Sequence, residues 1–219
     1  MIQFANPNAD LFIPDDSEPS QALSRTTHLG VGAHQDDLEV MALHGILACY
    51  KQPQKWFGGV TVTNGAGSSR TNEYAGYTDE QMQVVRAEEQ RKSAVVGEFG
   101  FVAQLGYPSS AVKQPQNCDY AADLRTILAG TRPQVVYTHN FADKHDTHVA
   151  VVVPLIRALR ELPEDERPAQ VYGVEVWRDL NWLLDDEKVL LNMANRPNLV
   201  RALISIFDSQ ISGGKRYDL

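Results

Sequence analysis

The segment Ala33-His34-Gln35-Asp36-Asp37-Leu38-Glu39 restricts the fold of this chain more than any other. An apolar run, His28 to Gly32, leads into it, and an apolar-rich stretch, Val40 to Leu47, follows it. The pattern predicts a buried strand, a tight turn and a helix. The turn carries one imidazole and three carboxylates within six residues. Placing that much negative charge at the end of a buried strand is costly, because like charges repel and each is penalised by desolvation. A bound cation offsets the cost. A second polar cluster, His139-Asn140-Phe141-Ala142-Asp143-Lys144-His145-Asp146-Thr147-His148, follows the apolar run Gln134 to Tyr137. The two clusters are expected to meet at the carboxyl edge of one parallel sheet and to share a divalent metal.

The rest of the chain fits such a sheet. Strands are expected near residues 28–33, 56–62, 101–105, 134–138 and 169–176. Helices are expected near 38–51, 78–98, 119–129, 147–162 and 198–211. Thr78 is a suitable N-cap for the second of these, with acidic residues in its first turn. Gly130 should end the third, and residues 107–117, spotted with Pro108 and Pro115, should be loop. Alternating strands and helices predict an α/β protein, a doubly wound three-layer α/β/α sandwich around a mostly parallel, Rossmann-like sheet. Ligands of such sheets bind beyond the carboxyl ends of the strands. Residues 1–219 read as one domain. Its first 26 residues form a proline-spotted arm that packs over the sheet or against an oligomer partner. Within the arm, Asp15 and Asp16 read as a solvated turn.

Composition narrows the partners. With 43 % hydrophobic and 22 % charged residues, the chain can bury a core. A net charge of −8, with no basic stripe, argues against a nucleic-acid backbone. No stretch is apolar for long enough to span a membrane. The two cysteines, Cys49 and Cys118, form no CxxC pair, so neither a cysteine zinc site nor a disulfide framework is expected. Cys49 reads as a small buried hydrophobe. A soluble, cytoplasmic protein is the expectation, with homo-oligomerisation open.

His34 and Asp37, three residues apart across a turn, can converge on one ion. With His148 they form a His/His/Asp set that leaves a position for water, which suits Zn2+; Fe2+ accepts the same donors. Asp36, next to a ligand but not one itself, is placed to take a proton from water. His145 can polarise a carbonyl or protonate a leaving amine. Asp143 can orient His145. Asp146 or Thr147 can cap the helix that carries His148. His139 either touches the site or hydrogen-bonds backbone, while His28 and His44 read as structural. Arg70, in the loop from Asn64 to Arg70, and Trp177, at the end of a late strand, are candidate substrate contacts.

Together these residues resemble the LmbE-like (PIG-L) family of zinc-dependent N-deacetylases. The match lies in Ala33 to Glu39, in Phe141 to His148, in the strand end Thr63-Asn64-Gly65 and in Arg86-Ala87-Glu88-Glu89. The resemblance implies a Rossmann-like fold and a mononuclear zinc. His34, Asp37 and His148 would be its ligands, Asp36 the base and His145 the group stabilising the tetrahedral intermediate. The substrate it implies is small and carries N-acetylglucosamine. Gln35 stands where the family has proline, which should loosen the turn, and Thr147 replaces an aspartate. Rival readings are a catalytically silent sugar-binding domain that keeps the metal, a nucleotide-binding α/β protein, and an amidase for another amide such as a thiol conjugate. The nucleotide reading lacks any glycine-rich phosphate loop after a strand.

Overall fold

The computed structural model describes residues 2–114 and 119–217. Among the described residues six strands form one sheet: β1 (Asp10–Phe12), β2 (His28–Gly32), β3 (Phe57–Thr63), β4 (Phe101–Tyr107), β5 (Val135–His139) and β6 (Gln170–Val174). Their spatial order is β1-β4-β3-β2-β5-β6. Strands β2 to β6 run parallel, and β1 lies antiparallel on the edge of β4. The central strands are buried along their whole length, as a sheet covered on both faces requires.

Alternate residues along the strands feed two separate cores. Leu29, Val31, Val60, Val62, Phe101, Ala103, Leu105 and Val136 project to one side. Phe57, Val102 and Tyr137 project to the other. The helices are α1 (Pro19–Ser24), α2 (Asp37–Met41), α3 (Leu43–Cys49), α4 (Asp79–Val96), α5 (Ser109–Val112), α6 (Asp119–Thr131), α7 (Asp146–Glu161), α8 (Pro197–Ile204) and α9 (Asp208–Ser212). Residues of α1, α5, α6 and α7 join the first core, and those of α2, α3 and α8 the second. This is the expected three-layer α/β/α arrangement.

Several boundaries differ from the sequence reading. The helix expected over 38–51 is two pieces, α2 and α3, which meet at Ala42. The last helix is likewise split into α8 and α9. Helix α6 runs past Gly130 to Thr131, and Arg132 takes the left-handed position that ends it (φ 45°). Part of the expected loop after β4 is α5; Pro115 and Cys118 lie outside the described residues.

The largest difference is the arm. It contributes β1, whose Asp10, Leu11 and Phe12 pair with Gln104, Ala103 and Val102. The Ala5 N–H donates to Asp123 (2.6 Å), and Asn6 donates to the Leu105 carbonyl (2.7 Å). Three residues are too few to show a period of two, and Pro7 and Pro14 flank them, so the local pattern hides the strand. Asp15, read as solvated, pairs with Arg25 (2.9 Å). Helix α4 begins at the expected cap: Thr78 and Gln81 form a reciprocal capping box. Cys49 is buried, and burial pushes its thiol up to about 12. Among the described residues no helix is long and apolar enough to cross a membrane.

Candidate metal centre and active site

The order of strands fixes where a site can form. From β2 the chain winds one way through β3 and β4, and β5 and β6 lie on the other side, so β2 and β5 flank the switch point. In their register Val31 stands opposite Thr138. The turn after Gly32 and the segment after His139 therefore leave the sheet side by side. This is why two clusters about a hundred residues apart in sequence become neighbours.

His34 Nδ1 and His148 Nε2 are 3.2 Å apart. Asp37 reaches the two rings through different oxygens, with Oδ2 3.4 Å from His34 Nδ1 and Oδ1 3.5 Å from His148 Nε2. Donors at zinc-ligand distances in a tetrahedral site stand about 3.3 Å from one another, and each of these spacings taken as a pair is close to that value. The tautomer fits as well. His148 Nδ1 lies 2.7 Å from Asp143 Oδ2, a partner that takes its N–H and leaves Nε2 with a free lone pair. Burial lowers the His148 pKa, which also favours the neutral ring. Burial alone would raise the Asp37 carboxyl, but His139 and His148 beside it hold it well below the usual carboxylate range.

Two further imidazoles join this group. Among the described residues, potential ligand atoms form two sets that share His148: His34, His145 and His148 in one, Asp37, His139 and His148 in the other, so His34 and Asp37 each meet His148 without falling in one set together. His139 is fully buried and stacks on His148 with ring centroids 3.7 Å apart. Its Nε2 accepts the Ala33 N–H (3.0 Å) and stands 3.2 Å from Asp37 Oδ2. Both roles left open for His139 are thus realised. His145 packs against the other two rings, with its centroid 4.5 Å from that of His148 and 4.9 Å from that of His34. Its Nδ1 is shielded from solvent without a hydrogen-bond partner. Burial and the neighbouring His34 lower its pKa.

Asp143 differs from expectation. Its Oδ1 accepts the backbone N–H of His145 (2.8 Å), while Oδ2 serves the ring of His148. It therefore orients a candidate ligand and not the His145 ring, because the turn into α7 points that carboxylate back at the helix's first turn. His145 occupies the N-cap position without capping, and Asp146 Oδ1 takes the Thr147 N–H (2.8 Å).

The turn itself is braced from below. Asp36 adopts φ 94°, a left-handed conformation costly for a residue with a side chain. Gln35 holds it there. Its amide nitrogen donates to the Thr63 carbonyl (3.1 Å) and to Gln104 (3.2 Å), and its own carbonyl accepts from Arg86. The glutamine tightens the turn through its side chain, contrary to the loosening expected from loss of proline. Gly65 completes the packing at φ 74°. A Cβ there would stand 2.8 Å from both Arg86 Cβ and Gln35 Oε1, so only glycine fits. This gives the Thr63-Asn64-Gly65 strand end its physical reason.

A cavity of about 650 Å³ opens beside the turn, lined by Asp36, Asp37 and Glu39, by Trp177, and by Lys215 and Tyr217. Glu39 is buried, donated to by Ser93 (2.5 Å) and Gln90 (2.8 Å), and burial raises its pKa to about 7. Trp177 lines this cavity, with the Lys144 ammonium 5.4 Å from its ring centroid. Arg70 does not line it. Its guanidinium binds the Ala66 carbonyl (2.7 Å) and Asp79, closing the loop onto the start of α4.

The sequence from residue 29 to 159 matches the family model described as PIG-L, GlcNAc-PI de-N-acetylase. The chain belongs to the PIG-L family. No curated protein matches it significantly. Solved structures share the fold. One is an N,N'-diacetylchitobiose deacetylase from Pyrococcus horikoshii, at 17 % identity and TM-score 0.61, covering 84 % of this chain and 70 % of that one. Another is GalB, a 4-carboxy-2-hydroxymuconate hydratase from Pseudomonas putida, at 18 % and 0.65, covering 86 % and 81 %. A third is the conserved protein TT1542 of Thermus thermophilus, at 21 % and 0.60, covering 86 % and 81 %. Both polar clusters lie within the residues matched to the PIG-L family. Lys215 and Tyr217 lie outside the matched residues, and no motif marks them in the sequence.

Proposed function

We propose that this PIG-L protein is a metal-dependent hydrolase that removes the acetyl group from a small N-acetylated sugar. The observation that carries the reading is the gathering of His34, Asp37 and His148 in pairwise contacts of 3.2–3.5 Å next to Asp36, with Asp36 and Asp37 both lining a cavity. Fold alone does not select the reaction, since a deacetylase and a hydratase share it. Family membership, together with a His/His/Asp donor set, favours amide hydrolysis.

His34, Asp37 and His148 would hold the cation, and Zn2+ suits the nitrogen and oxygen donors; Fe2+ is the alternative. A divalent cation there supplies Lewis acidity toward water and the acetamide carbonyl. Asp36 takes the proton of the attacking water as its oxygen adds to the carbonyl carbon. The His145 ring, adjacent to both imidazole ligands, stabilises the developing oxyanion. The C–N bond then breaks, acetate leaves, and Asp36 or His145 returns a proton to the amine. Asp143 keeps His148 in its ligating tautomer. Trp177 offers an aromatic face to the sugar ring. A cytoplasmic location fits the free buried thiol of Cys49.

Metal analysis combined with a screen for amine release over N-acetylated sugars tests the reading. Expected are acetate and amine in equal amounts. With Asp36→Ala, turnover should fall about 10²–10⁴-fold, the range for a general base, with bound metal unchanged. A metal-loaded protein inert on the whole panel would overturn it.

A further inference from the structure

Asp36 has a second set of partners that the two motifs do not contain. Lys215 Nζ lies 2.6 Å from its Oδ2 and Tyr217 OH 2.5 Å from the same oxygen. Arg86 Nη2 stands 3.5 Å from that oxygen as well. Three donors from distant parts of the chain thus converge on one oxygen of one carboxylate.

The segment that brings two of them is fastened at several points. Glu89, on α4, accepts from the Ser209 N–H (2.7 Å) and hydroxyl (2.8 Å), which bolts α9 to α4. Thr71 donates to the Ser212 carbonyl (2.7 Å), tying the end of α9 to the loop after β3. The chain then turns at Gly214, whose φ of 92° favours a residue without Cβ. The Lys215 N–H returns to the Gln210 carbonyl (3.0 Å).

We propose that residues 213–217 form a positioning strap, in which Lys215 and Tyr217 hold Oδ2 of Asp36 so that Oδ1 faces the reacting water. The inference rests on the hydrolase reading above. A carboxylate that must accept a proton at one point gains from having its rotation stopped, because misplacement by about 1 Å can cost about 10² in rate. Asp36 needs such a hold, since it makes no cap bond to α2 and its backbone is in a sparsely populated region. The strap is a wall and not a plug: the 650 Å³ cavity beside Asp36 and Asp37 stays open with Lys215 and Tyr217 in place as lining.

The test compares Lys215→Met, Tyr217→Phe and Lys215→Arg with the full-length zinc-loaded protein on the best N-acetylated substrate. Expected are kcat values about 10- to 100-fold lower for Lys215→Met and Tyr217→Phe, KM within about threefold, and unchanged zinc content. Lys215→Arg should recover part of kcat. Tyr217→Phe removes a single oxygen, so it keeps the packing should Lys215→Met disturb the fold. A cycle of Asp36→Asn with Lys215→Met, read by thermal unfolding, should show non-additive shifts without any need for turnover. Unchanged kcat overturns the proposal, as do additive shifts. Raised kcat overturns it in favour of an inhibitory strap, and a rise in KM alone in favour of a substrate contact. An active wild type with indifferent variants defeats this inference alone. A zinc-loaded wild type inert on every amide defeats the hydrolase reading, and the strap's role with it.

Discussion

Asp36 and Asp37 are adjacent in sequence and face opposite sides of the molecule's chemistry. Asp37 looks toward imidazoles delivered by β5 and α7, all within the family-matched region. Asp36 looks toward cations and a phenol delivered by α4 and by the strap after α9. The histidine side consists of imidazole nitrogens, which can hold a cation. The strap side consists of hydrogen-bond donors turned toward one carboxylate oxygen, which fix an anion. One turn thus splits a pair of like charges into two environments, and the left-handed backbone at Asp36 is the geometric means of doing so.

That contrast can be broken by experiment. On the histidine side, His148→Ala should abolish stoichiometric metal binding and reduce turnover at least as far as Asp36→Ala does. If the variant keeps its metal and its rate, the two sides do not differ in kind. Metal content by mass spectrometry under native conditions reads this directly. Asp143→Asn should be milder, because it keeps the shape and loses the charge behind His148. A loss of about 10–100-fold in metal affinity is expected, the range for such outer partners, measured by competition with a chromogenic chelator. An affinity equal to wild type would show that the 2.7 Å contact does not set the tautomer.

The smallest effect is expected far from both sides, at the opposite end of β2. Burial, helped by Lys55, lowers the His28 pKa from 6.5 to about 4. The unfolded chain therefore takes up a proton between pH 6.5 and 4 that the folded chain refuses. Its contribution to stability is complete above pH 6.5 and is lost as pH falls toward 4. His28→Gln should flatten the fall of the unfolding midpoint across that window and leave metal binding unchanged. A slope identical to wild type would remove His28 from the account.

The strand ends show why some of this was readable. Val31 and Val136 lie within short apolar runs that close on polar clusters, and the α/β alternation fixes those strand ends at one sheet edge. Local spacing joined His34 to Asp37, and the position of both clusters at strand ends brought in His148. Strand β1 escaped because three residues carry no periodicity. Arg70 misled because a lone loop arginine carries no record of its partner, here Asp79 nine residues on.

What the sequence determined by itself is the layered fold and the two clusters, since both follow from burial periodicity and from charges that a strand end cannot hold uncompensated. Only the tertiary structure decided which ring Asp143 serves, how Gln35 pins its turn, and which groups grip Asp36. Lys215 and Tyr217 reach that carboxylate across 179 and 181 positions of chain. A contact of that span depends on how α9 docks on α4, and docking is set by packing and hydrogen bonds that leave no local pattern in either segment.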